Sequence, residues 1–178
     1  MVVKDTLPKK TRMFKINFKK ILINFGIISV IFLADRLTKI YIVKIAEVKN
    51  TVDIYVNTYL NFYLIWNKGI AFGLFSFNER FIYNIITAII LLIIVVILVM
   101  VIKNKGFKKY SLMFVLGGSL GNLFDRIYYS AVPDFIDFHL NDFHWFVFNV
   151  ADIFITLGIV CLIFDEILIN DKKNGKTT

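Results

Sequence analysis

Two short stretches of the chain repeat one spacing of an amide and a carboxylate. The stretch GGSLGNLFDR carries Asn122 and Asp125, and the stretch FNVADIF carries Asn149 and Asp152. Residues three apart share a face of a helix, so each stretch presents its amide beside its carboxylate. Two carboxylates held a few ångströms apart cannot both ionise, and the pair shares a proton. One member can then take a proton from water while the other polarises a carbonyl, which is the chemistry of aspartic peptide hydrolysis.

The same carboxylates are compatible with other functions. A small proton-coupled transporter or channel could use Asp125 and Asp152 as a relay, because ionisable residues within membrane segments often line polar pathways. A scaffold protein could use the two Asn–Asp pairs only to lock helices together by hydrogen bonds. In a hydrolase, Asn122 and Asn149 would orient the carboxyl groups. These residues alone do not separate hydrolysis from proton relay.

The composition is that of a membrane protein. Of the 178 residues, 58% are hydrophobic and 16% are aromatic, whereas soluble domains are less apolar. Residues 85–102 hold no charge, and about 20 apolar residues are enough to cross the hydrocarbon core of a bilayer. We predict an all-α membrane protein, one domain over residues 1–178, with four transmembrane helices at about 18–38, 81–102, 109–128 and 147–169.

The distribution of charge predicts the orientation of these helices. The net charge is +8, and most of the 21 Lys and Arg residues lie before the first helix, between the second and third helices, and after the fourth. Short cytoplasmic segments accumulate Lys and Arg, so we expect both termini to be cytoplasmic. The basic N-terminal stretch is then a membrane anchor, and we expect no nucleic-acid partner.

Two segments lie on the predicted outer side of the membrane. In the segment 45–79, β-branched and aromatic residues alternate on both sides of an Asn-Lys-Gly sequence that starts at Asn67, which predicts a strand pair with its turn there. The segment 129–146 is predicted to be a second outer loop. It contains His139 and His144, but the chain has neither the H-E-x-x-H pattern nor a cysteine pair, so we predict no metal site.

The two amide–carboxylate stretches are predicted to lie at the same depth. A third helix that starts near residue 109 and runs outward places Asp125 about 24 Å along its axis, at the outer edge of the hydrocarbon. The fourth helix runs in the opposite direction and begins with Asn149 and Asp152. Gly117 and Gly121 form a small-xxx-small pair that allows a neighbouring helix to approach the third helix closely.

Five sequence motifs follow one another along most of the chain. They are D-x-x-T-K at 35–39, N-x-G-x-A-F at 67–72, G-G-x-x-G-N-x-x-D-R at 117–126, V-x-D-F at 132–135 and F-N-x-A-D at 148–152. In this order, on a chain with four predicted spans, they resemble the bacterial lipoprotein signal peptidases, or signal peptidase II. The resemblance extends over residues 18–165. It implies an intramembrane aspartic endopeptidase with an extracytoplasmic β-cradle.

The resemblance also implies roles for individual residues. Asp125 and Asp152 would be the catalytic carboxylates. Supporting roles, in binding substrate or in positioning the carboxylates, would fall to Asp35, Lys39, Asn67, Gly69, Asn122, Arg126 and Asn149. Asp134 belongs to the V-x-D-F motif, but we expect it to be structural because it lies outside the predicted helices. The chain departs from the common family pattern in lacking a Pro before F-N and in carrying Ile153 after A-D.

A substrate class and an environment follow from the same resemblance. The substrates would be prolipoproteins that carry diacylglyceryl on a cysteine, and the cut would fall just before that cysteine. The enzyme would be a multi-pass protein of the bacterial cytoplasmic (inner) membrane, surrounded by membrane lipids, with its active site near the outer leaflet. Globomycin-type cyclic peptides would block it. We expect a monomer that needs no cofactor and no metal.

Overall fold

Four helices and four strands make up the described part of the computed structural model, which comprises residues 18–69, 80–141 and 143–174, with side chains up to residue 167. In chain order they are α1 (Phe18–Lys49), β1 (Asp53–Asn57), β2 (Leu60–Asn67), α2 (Arg80–Lys103), α3 (Gly106–Tyr129), β3 (Val132–Leu140), β4 (Phe143–Phe148) and α4 (Val150–Asn174). The protein is therefore mostly helical, with a small sheet.

Two of these helices, α1 and α2, are long and apolar enough to cross a membrane by length and composition. The helix α2 carries no charge between Arg80 and Lys103 and exposes a continuous apolar surface, as Leu92 and Ile102 show. The helices α3 and α4 do not meet the same criterion over their described residues. Their buried faces carry polar side chains such as Asp125 and Asp152. That all four helices cross the membrane stays a prediction.

The helix α3 lies at the centre of the helical packing, in contact with α1, α2 and α4. Its glycines permit these contacts. A Cβ added at Gly117 would lie 2.9 Å from the side chain of Ile31 on α1, and one at Gly121 would collide with the carboxylate of Asp35. The close helix approach predicted from the two glycines is confirmed, and it brings polar residues of α1 against α3.

The strands form one antiparallel sheet in the order β1-β2-β3-β4. The strand β2 runs alongside β3, so that Asn67 is the register partner of Val132. Below the sheet, Val52 and Phe135 pack with Ile42 of α1 in a buried apolar cluster. The sheet is therefore attached to the end of α1 and to the segment that follows α3.

The first outer segment differs from its prediction in where it starts and turns. The helix α1 continues to Lys49, so residues 45–49 are helical rather than part of a β element. The hairpin turns at residues 58–59, where Asn57 Oδ1 accepts a hydrogen bond of 2.8 Å from the backbone N–H of Tyr59. Asn67 instead ends β2. The predicted strand beyond Gly69 lies outside the described residues.

The second outer segment is not a loop. Its residues form β3 and β4, which turn at Asn141 in a left-handed backbone conformation with φ of 53°. Asparagine tolerates this conformation better than most residues. Because β3 pairs with β2, one sheet joins the two outer segments. The prediction of a helical protein with a small β element is therefore confirmed, and the predicted second loop is corrected to two strands of the same four-stranded sheet.

Candidate active site

A cavity of about 460 Å³ is lined by residues of α2, α3, α4, β2 and β3. Its polar lining includes Asn67, Asn122, Arg126, Asp134, Asn149 and Asp152. Its apolar lining includes the isoleucines 90, 93 and 94 of α2 and 155 and 159 of α4. An apolar cavity with a few convergent polar groups is the usual form of a small-molecule or substrate site.

Asp134 brings a buried carboxylate to this cavity from β3. Asn67 Nδ2 donates to its Oδ2 over 2.9 Å, and Asn149 Nδ2 donates to its Oδ1 over 2.5 Å. Burial, and next the charge of Asp152, raises the pKa of Asp134 from its usual 3.8 to about 7, although the hydrogen bonds from Asn67 and Asn149 lower it. At neutral pH this carboxyl group can therefore hold or release a proton.

Asp152 brings the second carboxylate from the first turn of α4. Its Oδ1 accepts a hydrogen bond of 2.8 Å from Asn122 Nδ2 of α3. Its Oδ2 accepts one of 3.1 Å from the backbone N–H of Asn149, whose own Oδ1 accepts from the backbone N–H of Asp152 over 3.2 Å. This reciprocal pair is a capping box at the start of the helix. The N-x-x-D spacing on α4 therefore fixes the carboxylate to a helix end.

Asn149 joins the two carboxylates of the cavity. Its side-chain amide donates to Asp134, and its backbone amide donates to Asp152. The charge of Asp152 acts on Asp134 as the second cause of its raised pKa. The carboxylates of Asp134 and Asp152 are thus coupled, held by neutral amides, and open to the same cavity.

Asp125 lies in a different environment. It is fully buried and forms ion pairs with Lys39 Nζ, at 2.7 Å from Oδ2, and with the guanidinium of Arg36 at Oδ1. Both cations come from α1, and Asp125 is not among the residues that line the cavity. The structure therefore places Asp125 in an ion-pair cluster with the two basic residues of α1, whereas Asp152 lines the cavity.

Asp35 and Lys39 complete this ion-pair cluster. Lys39 Nζ donates to Asp35 Oδ2 over 2.9 Å and to Asn122 Oδ1 over 2.8 Å. The other oxygen of Asp35 accepts a hydrogen bond of 3.0 Å from the backbone N–H of Ala151 at the start of α4. The D-x-x-T-K motif of α1 therefore ties α1, α3 and α4 together beside the cavity.

Asn67, Gly69 and Arg126 connect the end of β2 to the cavity. Besides its contact with Asp134, Asn67 accepts a hydrogen bond of 2.8 Å at Oδ1 from the backbone N–H of Gly69. The guanidinium of Arg126 donates to the carbonyl oxygen of Gly69 and lies 5.7 Å from the ring centroid of Tyr83. These bonds fix the backbone after β2 next to the carboxylates.

Comparison with known proteins identifies the family. The model of a family described as "Signal peptidase (SPase) II" matches residues 27–168 of this chain. The chain belongs to the signal peptidase II family. Its members are aspartic peptidases, and this chain is one of them.

Relatives and solved structures agree with this assignment. Over 164 residues the chain is 56% identical to the lipoprotein signal peptidase of Pelagibacter ubique (strain HTCC1062), covering 92% of this chain and 99% of that protein. It is 37% identical to the lipoprotein signal peptidase of Anaplasma phagocytophilum (strain HZ), covering 88% and 99%. A solved bacterial membrane enzyme superposes with a TM-score of 0.69 at 27% identity, covering 86% of this chain and 92% of that one. This signal peptidase II is therefore a membrane enzyme.

The residues predicted to support catalysis fall into two groups in this signal peptidase II. Asn67, Asn122, Arg126 and Asn149 line the cavity. Asp35 and Lys39 lie in the ion-pair cluster around Asp125. The expectation that Asp134 is only structural depended on its position outside the helices. The strand β3 instead places the carboxylate of Asp134 at the cavity. The V-x-D-F motif was the sequence signal that pointed to Asp134.

Proposed function

We propose that this signal peptidase II hydrolyses its substrate with the carboxyl groups of Asp134 and Asp152. The observation that carries the proposal is that these two residues line one cavity and are electrostatically coupled, with the pKa of Asp134 at about 7. Asp125, the partner expected from the spacing of its motif, is instead neutralised by Arg36 and Lys39.

In the proposed mechanism, Asp134 begins the reaction as a protonated carboxyl group and Asp152 begins it as a charged carboxylate. Two N–H groups, from Asn122 and from the backbone of Asn149, bind the Asp152 carboxylate, and the N-terminus of α4 favours negative charge there. Asp152 takes a proton from a water molecule as the water oxygen attacks the carbonyl carbon of the scissile bond. Asp134 donates its proton to the carbonyl oxygen, which produces a tetrahedral diol.

Breakdown of this intermediate returns the enzyme to its starting state. The nitrogen of the scissile bond takes the proton that Asp152 holds, and the C–N bond breaks. A hydroxyl proton of the diol returns to Asp134 as the new carboxyl group forms. Water has then been added across the peptide bond, and no covalent enzyme intermediate is formed.

The location of the carboxylates supports a site at the outer surface of a membrane. Asp134 follows the end of α3, and Asp152 lies in the first turn of α4, so both are at the end of the helices opposite the basic α2–α3 connection. We infer that all four helices cross the inner membrane with both termini in the cytoplasm. At about 36 Å, the 24 residues of α3 are long enough for this.

The substrate we propose is a diacylglyceryl-modified prolipoprotein, cut just before its lipidated cysteine. The names of the relatives support lipoprotein precursors as the substrate class. The isoleucines of α2 and α4 add an apolar wall suited to an acyl chain or an apolar signal peptide. A substrate held in the bilayer by acyl chains would meet the carboxylates without leaving the membrane. We further propose that globomycin-type cyclic peptides occupy the same cavity, and that the enzyme acts as a monomer surrounded by membrane lipids.

A cleavage assay on a purified prolipoprotein tests this function. The wild-type enzyme in detergent micelles should shift a diacylated prolipoprotein to its shorter product on a gel, and mass spectrometry of the product should place the lipidated cysteine at its N-terminus. A globomycin-type peptide should prevent the shift. If the folded enzyme leaves the diacylated substrate intact, or cuts an unmodified precursor equally well, the proposed substrate is wrong.

A further inference from the structure

Three side chains of the β3–β4 hairpin form a cluster of potential metal ligands outside the cavity. They are Asp137, His139 and His144, and their ligand atoms all lie within 4.8 Å of one another. The two histidines are the only ones in the sequence. None of the three residues lines the catalytic cavity. His139 is five residues beyond Asp134 on β3, which corresponds to about 16 Å along a strand.

The register of the hairpin explains why these residues meet. His139 and His144 are cross-strand partners, so their side chains lie on the same face of the sheet. Their rings stack with centroids 5.0 Å apart. Asp137 and His139 are two residues apart on β3, so the carboxylate lies on the same face of the sheet as the two rings. The Nδ1 atoms of His144 and His139 lie 2.8 Å and 3.7 Å from the same oxygen, Asp137 Oδ2.

The hydrogen bonds within the cluster leave polar atoms unpaired. His144 Nδ1 bonds with the Asp137 carboxylate, whose side chain is only 6% exposed. Nδ1 of His139 is buried and has no hydrogen-bond partner within the described residues. The amide oxygen of Asn61, the register partner of Asp137 on β2, is likewise buried and unpaired there. Buried polar atoms are normally satisfied, so unpaired ones beside a carboxylate indicate a ligand.

We propose that Asp137, His139 and His144 bind one divalent transition-metal ion of the Zn²⁺ class. Two imidazoles and one carboxylate form a common donor set for zinc, and imidazole also suits nickel and copper. With bonds of about 2.1 Å, tetrahedral ligand atoms lie about 3.4 Å apart, so the cluster needs only a small closure. His139 Nδ1 would coordinate the ion through its lone pair. His144, whose side chain is 58% exposed, provides access from solvent.

The position of the ion suggests what it does. The strand β3 carries Asp134 near its start, and β4 ends at Phe148, directly before Asn149 and α4. An ion bound by residues of both strands holds together the hairpin that connects the two carboxylates of the cavity. The binding site itself does not depend on the proposed catalytic roles, and it can be tested without measuring cleavage.

Calorimetric titration of the full chain with Zn²⁺ tests the site directly. The protein must carry no histidine tag and must first be stripped with a chelator in detergent micelles. We expect one equivalent of Zn²⁺ to bind, and Co²⁺ to bind with the absorption bands of a four-coordinate site. At a hundredfold excess of free Zn²⁺ over Kd, Tm should rise by about 5 °C.

Variants decide whether these three residues are the ligands. His139→Ala, His144→Ala and Asp137→Asn should each weaken Zn²⁺ binding at least about tenfold, and the His139→Ala/His144→Ala double variant should abolish it. Phe143→Ala on the same hairpin and Asp53→Asn on β1 are matched controls that should bind like wild type. If an alanine variant has a lower Tm without metal, His139→Gln and His144→Gln replace it.

Two results would overturn the proposal. One is the absence of stoichiometric Zn²⁺ or Co²⁺ binding to the stripped wild-type protein. The other is binding that persists unchanged in the double variant, which would place the metal elsewhere. A Tm that changes with pH but not with metal would show that the cluster binds protons only, and this too would refute a metal site.

Discussion

Two clusters of buried polar side chains meet at Asn122, and their carboxylates have opposite surroundings. On the α1 side, Asp125 is bound by the cations Arg36 and Lys39. On the cavity side, Asp134 and Asp152 accept hydrogen bonds from amide N–H groups of Asn67, Asn122 and Asn149. Both Asp125 and Asp152 belong to an N-x-x-D sequence, so the motif itself does not set the environment of the carboxylate.

The comparison shows what makes a buried carboxylate reactive. A carboxylate paired with two cations has its oxygens occupied by the ion pairs. A carboxylate that accepts hydrogen bonds from amide N–H groups is fixed in position without a cation bound to its oxygens. In this protein, therefore, the cations of α1 bind the carboxylate of Asp125 in the helix packing, while burial and the charge of Asp152 raise the pKa of Asp134 to about 7.

Asn122 connects the two clusters through opposite ends of its side chain. Its Oδ1 accepts from Lys39, and its Nδ2 donates to Asp152. Since Lys39 has only donors to offer, it fixes which end of the amide faces the cavity. The ion-pair cluster thus positions a group that binds the carboxylate of Asp152, although its own carboxylates do not line the cavity.

The largest expected effect is the loss of activity when a cavity carboxylate is replaced. Asp134→Asn and Asp152→Asn keep the shape of the side chain but remove the proton chemistry, so each should lower kcat/KM at least about a thousandfold. Their Tm values should stay near wild type, since neutralising one of two coupled carboxylates removes a repulsion. The measurement is the rate of prolipoprotein cleavage, with Asp53→Asn, on the exposed part of β1, as the control.

The double variant sharpens this test. Residues that act as a unit are not additive, so Asp134→Asn/Asp152→Asn should be no slower than either single variant. Asp125→Asn must be measured beside them. If folded Asp134→Asn protein kept wild-type activity while folded Asp125→Asn protein lost it, the pair expected from the sequence would replace the one proposed from the cavity.

The next effect is on the stability that the ion-pair cluster around Asp125 contributes. Lys39→Met leaves two carboxylates with one cation in the cluster of Asp35, Arg36 and Asp125, and breaking a buried ion pair costs about 3–5 kcal/mol. We expect a correspondingly large fall in the free energy of unfolding. The double variant Lys39→Met/Asp125→Asn should recover part of this loss, because it restores the charge balance.

An exposed ion pair provides the control for this stability effect. Lys108 Nζ lies 3.8 Å from Glu166, and both side chains are at least a third exposed. Lys108→Met should change the free energy of unfolding by less than about 1 kcal/mol. A Lys39→Met variant as stable as Lys108→Met would mean that the buried cluster does not hold the helices together.

The pH dependence of stability tests the raised pKa of Asp134. Because its folded pKa of about 7 lies above the unfolded value of 3.8, the folded protein binds a proton that the unfolded chain has released between these values. The stability that this bound proton contributes is fully present below pH 3.8 and is lost as pH rises through 7. It amounts at most to on the order of 4 kcal/mol. The free energy of unfolding, measured between pH 5 and 8, should therefore depend less on pH in the Asp134→Asn variant than in wild type.

The same proton should govern the activity. As Asp134 donates to the carbonyl oxygen in the proposed mechanism, kcat/KM should fall as pH rises above about 7. A rate that stays level from pH 6 to 9 would contradict the assignment of the proton to Asp134.

The helices were the part of the fold that the sequence predicted best. The predicted spans 81–102 and 109–128 agree closely with α2 (Arg80–Lys103) and α3 (Gly106–Tyr129), because hydropathy changes sharply at their charged ends. The sheet was only half predicted. Its pairing of β2 with β3 joins residues about seventy positions apart, and no local pattern in either segment specifies that contact.

Of the predicted site residues, the amides and Asp152 line the cavity, and Asp125 lies in the ion-pair cluster. The spacing of Asn122 and Asp125 indicates a shared helix face, but it does not indicate which helix packs there. Arg36 and Lys39 reach Asp125 because Gly121 allows α1 to come close. Which carboxylate meets Asp152 depended on this tertiary contact and on the path of β3, and neither can be read from the spacing.

The smallest effect we predict is at Asn67, which contacts the cavity from the end of β2. Asn67→Ala removes the hydrogen bond to Asp134 Oδ2 and the one that Oδ1 accepts from the N–H of Gly69. The first bond lowers the pKa of Asp134, so its loss should move the fall of kcat/KM to higher pH. We expect a loss of turnover of about tenfold to a hundredfold, with a decrease in stability of about 1–3 kcal/mol.

Asn61→Ala on the same strand is the control and should leave the pH profile of kcat/KM unchanged. An unchanged pH profile in Asn67→Ala, together with a large loss of stability, would show that Asn67 serves the fold of β2 and not the carboxylate of Asp134.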